Sequence, residues 1–495
     1  MQWYILAIDQ STSGTKAMLV DAQGAVTARC DHPHRQIVDD RGWVEHDPEE
    51  IFSNLLRAVR DVLNNSEIKP EQILGAAISN QRETAIVWDS ISGKPVYNAI
   101  VWQCARGEDI CRRIAEAGGG ETVRRVTGIP LSPYYSAAKI AWILENIPAA
   151  QENQSRLCCS TMDSWLIFRL CGGEPMTDYS NASRAQLLDL ETLRWSEEAC
   201  ALFGINSGML PSLRDSDSLF GHSDFGGILP KPVPVHAALG DSHGALFGQG
   251  CLLPGMVKTT YGTGSSIMMN IGGKPIRSER GLVTSLAWSM SGRTEYVLEG
   301  NINYTGAVIK WLVEDMGLIT ASNESGKLAA QTRHVDGLYL VPAFSGLGAP
   351  YWDGAARGIL CGLTRGVGRA EIVRAAEECI AYQIADILYL MAEDTGRKIE
   401  TLRVDGGPTA DRFLMQFQAD ILGCLVRVPA VEELSGAGAA YAAGIAMGFY
   451  EQDSLFANPP RAEYAPQMDA TTREQYYRGW QNAVQMILAK ENAVF

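Results

Sequence analysis

Residues 4–24 read YILAIDQSTSGTKAMLVDAQG. An apolar run (Ile5, Leu6, Ala7, Ile8) delivers one carboxylate, Asp9, onto a turn of Ser, Thr and Gly, and a second apolar run (Ala17, Met18, Leu19, Val20) leaves it. Such a turn offers small side chains, hydroxyls and free backbone N–H groups, which suit phosphate oxygens. Asp9 by itself would repel a phosphate. Beside a nucleotide it makes sense through Mg²⁺, a hard cation that prefers oxygen ligands. An ordinary β-hairpin with a polar turn satisfies the same residues, so the rest of the chain has to decide.

The chain has 495 residues, more than one hydrophobic core sustains, and two or more domains are expected. With 46% hydrophobic and 20% charged residues it has the composition of a globular protein. A net charge of −15 argues against a nucleic-acid partner, since phosphate backbones need clustered Lys and Arg. One anionic ligand in a local cradle is still compatible with that field. The eleven cysteines are scattered without a C-x-x-C pair, which suits small buried thiols in a reducing, cytoplasmic setting. The start MQWYILAIDQ lacks the basic n-region of a signal peptide, and no apolar run is long enough for membrane insertion.

Strand-like and helix-like windows alternate throughout, which reads as an α/β fold. Strands are expected at Tyr4–Ile8, Ala17–Val20, Leu74–Ser79 and Ala85–Asp89, and a helix over Pro48–Leu63 with Asp47 as its cap. Ala137–Leu144 reads as a further helix. KPVPVHAALGDSHGALFGQG (231–250) reads as a strand, a turn bearing Asp241 and a helix of small residues. VKTTYGTGSSIMMNIGG (257–273) then repeats the design of the opening stretch: strand, Thr/Gly/Ser turn, strand. This echo predicts two similar domains, residues 1–247 and 248–495, each presenting a phosphate-compatible hairpin to a shared cleft. Leu402–Val404 leads into a glycine pair, Gly406 and Gly407, and an amphipathic helix, an arrangement that favours anions. ELSGAGAAYAAGIAMGFY (433–450) reads as a helix packed closely through Gly and Ala.

Asp9 in its hairpin, SNQRET (79–84), GDSHGA (240–245) and YGTGSS (261–266) need one explanation. There is no GxxxxGK[ST] motif and no protein-kinase HRD or DFG set, so another phosphate scaffold is required. The arrangement resembles the FGGY carbohydrate kinases, which share a ribonuclease H-like fold with actin, Hsp70 and hexokinase, and comes nearest to the glycerol kinases among them. GWVEHDP (42–48), NAIVWQC (98–104), PYYSAAKIAWILEN (133–146), VPAFSGLGAPYWD (341–353) and RVDGGPTADRFLMQFQADILG (403–423) carry the resemblance. GILCGLTRGVGRAEIVRAAEE (358–378) nearly fits the second family signature, with Glu377 where an apolar residue is usual.

The resemblance implies ATP and Mg²⁺ as co-substrate and cofactor, a small polyol or sugar as acceptor, and a homodimer or homotetramer as the assembly. It makes Asp241 the general base for the acceptor hydroxyl, and Arg82, Glu83, Trp102 and Tyr134 the polyol site. Asp9 becomes the metal ligand. Thr12, Ser13, Gly14 and Lys16 fall at phosphate positions, and Thr263, Gly264, Gly306, Lys310, Gly407 and Asp411 at nucleotide positions. Lys139 and Trp142 read as structural.

Several residues depart from the glycerol kinase pattern. Ser242 and His243 stand where two Gln are usual, and Ser266 where a Phe is usual. Lys16, Lys310 and Asp411 replace Arg, Gln and Asn. The first group widens the acceptor pocket and makes it richer in hydroxyls, so a longer polyol or a pentulose is the alternative acceptor to glycerol. An Hsp70- or actin-type ATPase and a silent sugar-binding regulator are the remaining rivals.

Overall fold

The computed structural model describes residues 2–152, 154–457 and 459–488. Labelling only the strands of the two large sheets, the first is built from β1 (Tyr4–Gln10), β2 (Gly14–Val20), β3 (Val26–Pro33), β4 (Ile73–Asn80), β5 (Leu219–Ser223) and β6 (Val233–Gly240). Its spatial order is β3-β2-β1-β4-β6-β5. β1, β2 and β3 run antiparallel as neighbours, β4 and β6 add in parallel, and β5 closes antiparallel.

The second sheet contains β7 (Val257–Tyr261), β8 (Ser265–Gly272), β9 (Val283–Met290), β10 (Arg293–Ile302), β11 (Thr401–Asp405), β12 (Leu425–Val428) and β13 (Ala462–Tyr464). In space they run β9-β10-β8-β7-β11-β12-β13. Leaving out the edge strand β9, every neighbour and every direction repeats the first sheet. The echo read from the two Thr/Gly/Ser turns is therefore a duplication of the whole sheet.

The expected helices form. α1 (Pro48–Asn64) starts with Pro48 at its first position, and the Asp47 side chain accepts the Glu49 N–H. α2 (Ser136–Asn146) covers the predicted 137–144 window. β6 leads into α3 (Asp241–Gly248), and β12 leads into its counterpart α7 (Leu434–Ala446). α3 and α7 cross, and α7 lies against β1, β4 and β6 of the other sheet. Glycine makes the crossing possible: a Cβ on Gly438 would stand 1.9 Å from the Gly244 carbonyl oxygen, and one on Gly244 would stand 2.4 Å from that of Ser435. Ile5, Met18, Leu246, Ala437 and Ala440 share one apolar core here, so the two halves are joined by a buried seam. No described helix is long and apolar enough to cross a membrane.

Candidate active site

Asp9 at the end of β1 and Asp241 at the start of α3 lie close enough for their charges to interact, and α3 packs against β7 of the second hairpin. Asp9 is the next-to-last residue of β1, its Cα in register with Lys16 on β2 and Ser79 on β4. It is buried, and its Oδ1 has no hydrogen-bond partner. Lys16 Nζ lies 3.7 Å from Asp9 Oδ2 and 2.7 Å from Glu433, which Arg29 also pairs with. Burial pushes the Asp9 carboxyl up to about 6, the Lys16 ammonium opposes the rise, and the nearby charges of Asp241 and Glu433 add to it. Lys16, expected at a phosphate, is thus held in the structure by two carboxylates.

Asp241 opens α3 and keeps its side chain about 35% exposed toward the cleft. Arg82 Nε stands 3.4 Å from Asp241 Oδ1. The two Nη atoms of Arg82 fork onto Glu299 of β10 at 2.9 and 2.8 Å. Glu83 adopts the left-handed conformation (φ 60), rare for a residue with a Cβ, and its carboxylate takes the Arg184 Nε–H at 2.6 Å. Arg184 also reaches Glu299 at 2.9 Å. Two arginines beside it hold the Glu299 carboxyl far below the usual carboxylate range despite its burial. Glu299 and Arg184 were not singled out from sequence, yet they set the polarity of this corner.

The aromatic side is formed by Trp102 and Tyr134, whose rings meet edge to face at 5.4 Å. Trp102 Nε1–H donates to Thr12 Oγ1 at 2.9 Å, which ties this wall to the turn between β1 and β2. Tyr134 sits on the loop before α2, and Lys139 fastens that loop by donating to the carbonyls of Pro133, Tyr134 and Tyr135 at 2.5, 2.6 and 3.1 Å. The structural reading of Lys139 gains a purpose: it positions Tyr134. Ser242 and Ser266 are half-buried in the same region; the Ser266 hydroxyl has no partner, and neither ring nitrogen of fully buried His243 has one. Burial and the adjacent Arg82 keep His243 well below its ordinary pKa, hence neutral.

On the second half, Thr263, Gly306, Lys310, Gly407 and Asp411 line one cavity of about 1010 Å³. Gly264 closes the turn from which Gly262 and Thr263 face it, with the Gly262 N–H on the Gly264 carbonyl at 2.7 Å. Gly306 begins α4 (Gly306–Glu314), and the first N–H groups of the helix, those of Gly306 and Ala307, bond the Gly262 and Thr263 carbonyls at 2.9 and 3.0 Å, which docks the helix on the turn. Lys310 is exposed and lies 3.6 Å from Glu314. Gly406 turns with φ 96 so close to the Tyr261 carbonyl that a Cβ would stand 1.9 Å away. Asp411 caps α6 (Arg412–Leu422), accepting the N–H groups of Phe413 and Leu414 at 2.8 and 3.1 Å.

All eleven cysteines are free. Cys30, His32 and Asp61 come together near the surface, a cluster not expected from their spacing. There His32 bonds Asp61 through Nε2 at 2.8 Å and faces Arg57 through Nδ1 at 2.8 Å. With an arginine donating to Nδ1, Nε2 carries the proton and has no lone pair for a metal.

Residues 4–248 match the N-terminal domain, and residues 257–447 the C-terminal domain, of the FGGY family of carbohydrate kinases. Glycerol kinase 1 of Thermotoga maritima is 46% identical over 98% of this chain and 100% of its own length. The glycerol kinase of Symbiobacterium thermophilum is 45% identical over 97% of this chain and 98% of its own. The crystal structure of Plasmodium falciparum glycerol kinase with ADP superposes with a TM-score of 0.93 at 34% identity, covering 99% of both chains. Two matched domains, relatives matched along nearly their whole length and a duplicated sheet agree: the chain is a phosphotransferase belonging to the FGGY family of carbohydrate kinases.

Proposed function

We propose that the enzyme transfers the γ-phosphoryl group of ATP to a hydroxyl of glycerol or a related small polyol. The observation that carries this is the placement of Asp241: partly exposed at a helix start, 3.4 Å from Arg82 and close enough to Asp9 to raise its pKa. An alcohol is a poor nucleophile until its proton has somewhere to go, and Asp241 is the base for that proton. Residues 1–247 hold the acceptor and the base, and residues 248–495 hold the nucleotide. Tyr134, Trp102, Glu83 and the Nε side of Arg82 face the acceptor. The Glu299 fork occupies both Nη atoms of Arg82, so that only its Nε faces Asp241.

Thr12, Ser13 and Gly14 on one hairpin and Thr263, Gly264 and Gly407 on the other side offer hydroxyls and N–H groups to the phosphates, while Gly306, whose N–H bonds the Gly262 carbonyl, keeps a side chain out of their way. Phosphoryl transfer asks for little more than positioning and charge neutralisation. The orphaned, buried Asp9 Oδ1 fits a hard cation, so Asp9 would hold Mg²⁺. When bound, the ion supplies positive charge beside the phosphates. The free thiols agree with a cytoplasmic setting.

A second reading keeps the reaction and lengthens the acceptor to a larger polyol or a pentulose. It is favoured by the unpartnered Ser266 hydroxyl and His243 ring, polar groups that a further hydroxyl would satisfy. Coupled ADP-release assays across glycerol, tetritols, pentitols and pentuloses decide. The highest kcat/KM on glycerol supports the first reading and the highest on a five-carbon acceptor the second. ATP turnover indifferent to any polyol contradicts both.

A further inference from the structure

The stretch TDYSNASR (177–184) has no part in the steps above, yet Asp178, Ser180, Asn181 and Arg184 in it are all fully buried. It forms a one-turn helix, Tyr179–Ala182, started by Asp178, whose carboxylate accepts the Ser180 and Asn181 N–H groups at 2.8 and 3.0 Å. The same carboxylate accepts the Asn181 amide at 2.8 Å and the Ser216 hydroxyl at 2.7 Å. Four hydrogen bonds onto one buried carboxylate hold this turn in a single arrangement.

Two adjacent residues of the turn grip the ends of two strands. β4 and β6 run in parallel, and their last residues, Asn80 and Gly240, are register partners. Ser180 Oγ accepts the Gly240 N–H at 3.0 Å. Asn181 and Asn80 exchange amide hydrogen bonds, each Nδ2 on the other's Oδ1 at 2.9 Å. The residue after Gly240 is Asp241, and the chain beyond Asn80 runs through Gln81 to Arg82 and Glu83. The Arg82 stem lies against Gly240, where a Cβ would stand 2.7 Å from Arg82 Cγ. Arg184 closes the stretch by donating to Glu83 at 2.6 Å. Glu299, which holds the far side of Arg82, is fixed by its own half: β10 packs on α5 (Arg369–Thr395) so closely that a Cβ on Gly300 would meet Ile387 Cγ2 at 2.6 Å. The turn at 178–182 therefore sets where Asp241 stands relative to Arg82 and Glu83.

We propose that Ser180 and Asn181 are positioning residues for phosphoryl transfer: Ser180 places Asp241 through the Gly240 N–H, and Asn181 places Arg82 and Glu83 through Asn80. A base works only within hydrogen-bond reach of the hydroxyl, and misplacement by about 1 Å costs up to about a hundredfold in rate. Without the Ser180 oxygen the Gly240 N–H is buried and unpaired, and the strand end has to move to satisfy it.

This inference rests on Asp241 as the base, and a double-mutant cycle keeps the two separable. Single-turnover transfer from Mg-ATP to the acceptor of highest kcat/KM, at saturation, is followed in the full-length wild type, Ser180→Ala, Asp241→Asn and the double variant. Ser180→Ala is expected to slow transfer about tenfold beside Asp241 and less than twofold beside Asn, because a base already removed cannot be misplaced. Ser180→Thr keeps the hydroxyl and restores a rate within twofold of the wild type. Ser180→Cys, similar in volume and a weak acceptor, gives an intermediate rate and replaces Ser180→Ala in the cycle if that variant does not fold. Asn181→Ala is expected to weaken polyol binding about tenfold and leave ADP binding level. Equal slowing by the Ser180 substitution in both backgrounds, or none beside Asp241, overturns the role of Ser180. ADP affinity that falls in step with polyol affinity overturns that of Asn181. An Asp241→Asn enzyme as fast as the wild type overturns the base and the role of Ser180 with it.

Discussion

Arg82 and Glu299, 217 positions apart in the chain, form a two-pronged ion pair at 2.8 and 2.9 Å across the seam between the two halves. Both side chains are buried, and Arg184 completes the cluster. Glu299→Gln leaves two buried guanidiniums short of a counter-charge. Losing one partner of a buried pair costs roughly 3–5 kcal/mol. The expected result is that much loss in urea unfolding, together with lower kcat because the two Nη atoms of Arg82 are freed to join its Nε on Asp241. Unchanged stability would contradict the seam role.

Asp9 should make Mg²⁺ binding pH-dependent. Its carboxyl ionises at about 6, so apparent Mg²⁺ affinity drops about tenfold per unit as pH falls below that value. The sign for folding is opposite. A carboxyl whose folded pKa is raised stabilises the fold most below the unfolded value of 3.8 and loses that stabilisation as pH climbs through about 6. Without Mg²⁺, Asp9→Asn should therefore raise Tm at pH 8, by a stabilisation of order 1–3 kcal/mol, and give no gain at pH 3.5. Magnesium titrations and melting curves at the two pH values check both halves.

Lys139 holds three successive carbonyls of the Tyr134 loop. Lys139→Met keeps the apolar stem and loses the ammonium. KM for the polyol should rise about tenfold, in line with the loss of one or two charge-assisted hydrogen bonds, while nucleotide KM stays level. A nucleotide KM that rises in step with the polyol KM would point to general loosening of the fold instead.

At the crossing of α3 and α7 there is no room for one added methyl. Gly438→Ala must push α7 off the Gly244 carbonyl, and overpacking of this kind costs about 1–3 kcal/mol. Gly448→Ala, where a Cβ meets nothing within 4 Å but φ is 69, separates crowding from backbone strain. A Tm for Gly438→Ala equal to the wild type's would mean the helices part without cost.

Much of this was legible in the chain because it is written locally. Alternating apolar runs placed β1, β2, β4 and the Ala85–Asp89 strand within a few residues, and Asp47–Pro48 marked the start of α1. Asp9 and Asp241 were visible as single acids delivered by apolar strands. Long-range pairing was hidden. Nothing near Arg82 says that Glu299 will occupy its two Nη atoms, and nothing near Lys16 announces Glu433, 417 positions away. A signal for Glu299 did exist: one acid inside the apolar stretch YVLEGNI (296–302) needs a buried cation. Asp411 falls at a nucleotide position by resemblance, and its place before an amphipathic helix equally announces the cap it forms.

Asp241 as the base that takes the proton from the acceptor hydroxyl is put to the test by Asp241→Asn in single-turnover phosphoryl transfer from Mg-ATP to the best acceptor. The expected rate is at least about a hundredfold below the wild type, the usual size of a lost general base, with ADP and polyol still bound within a few-fold of wild-type affinity. A transfer rate within tenfold of the wild type would contradict it.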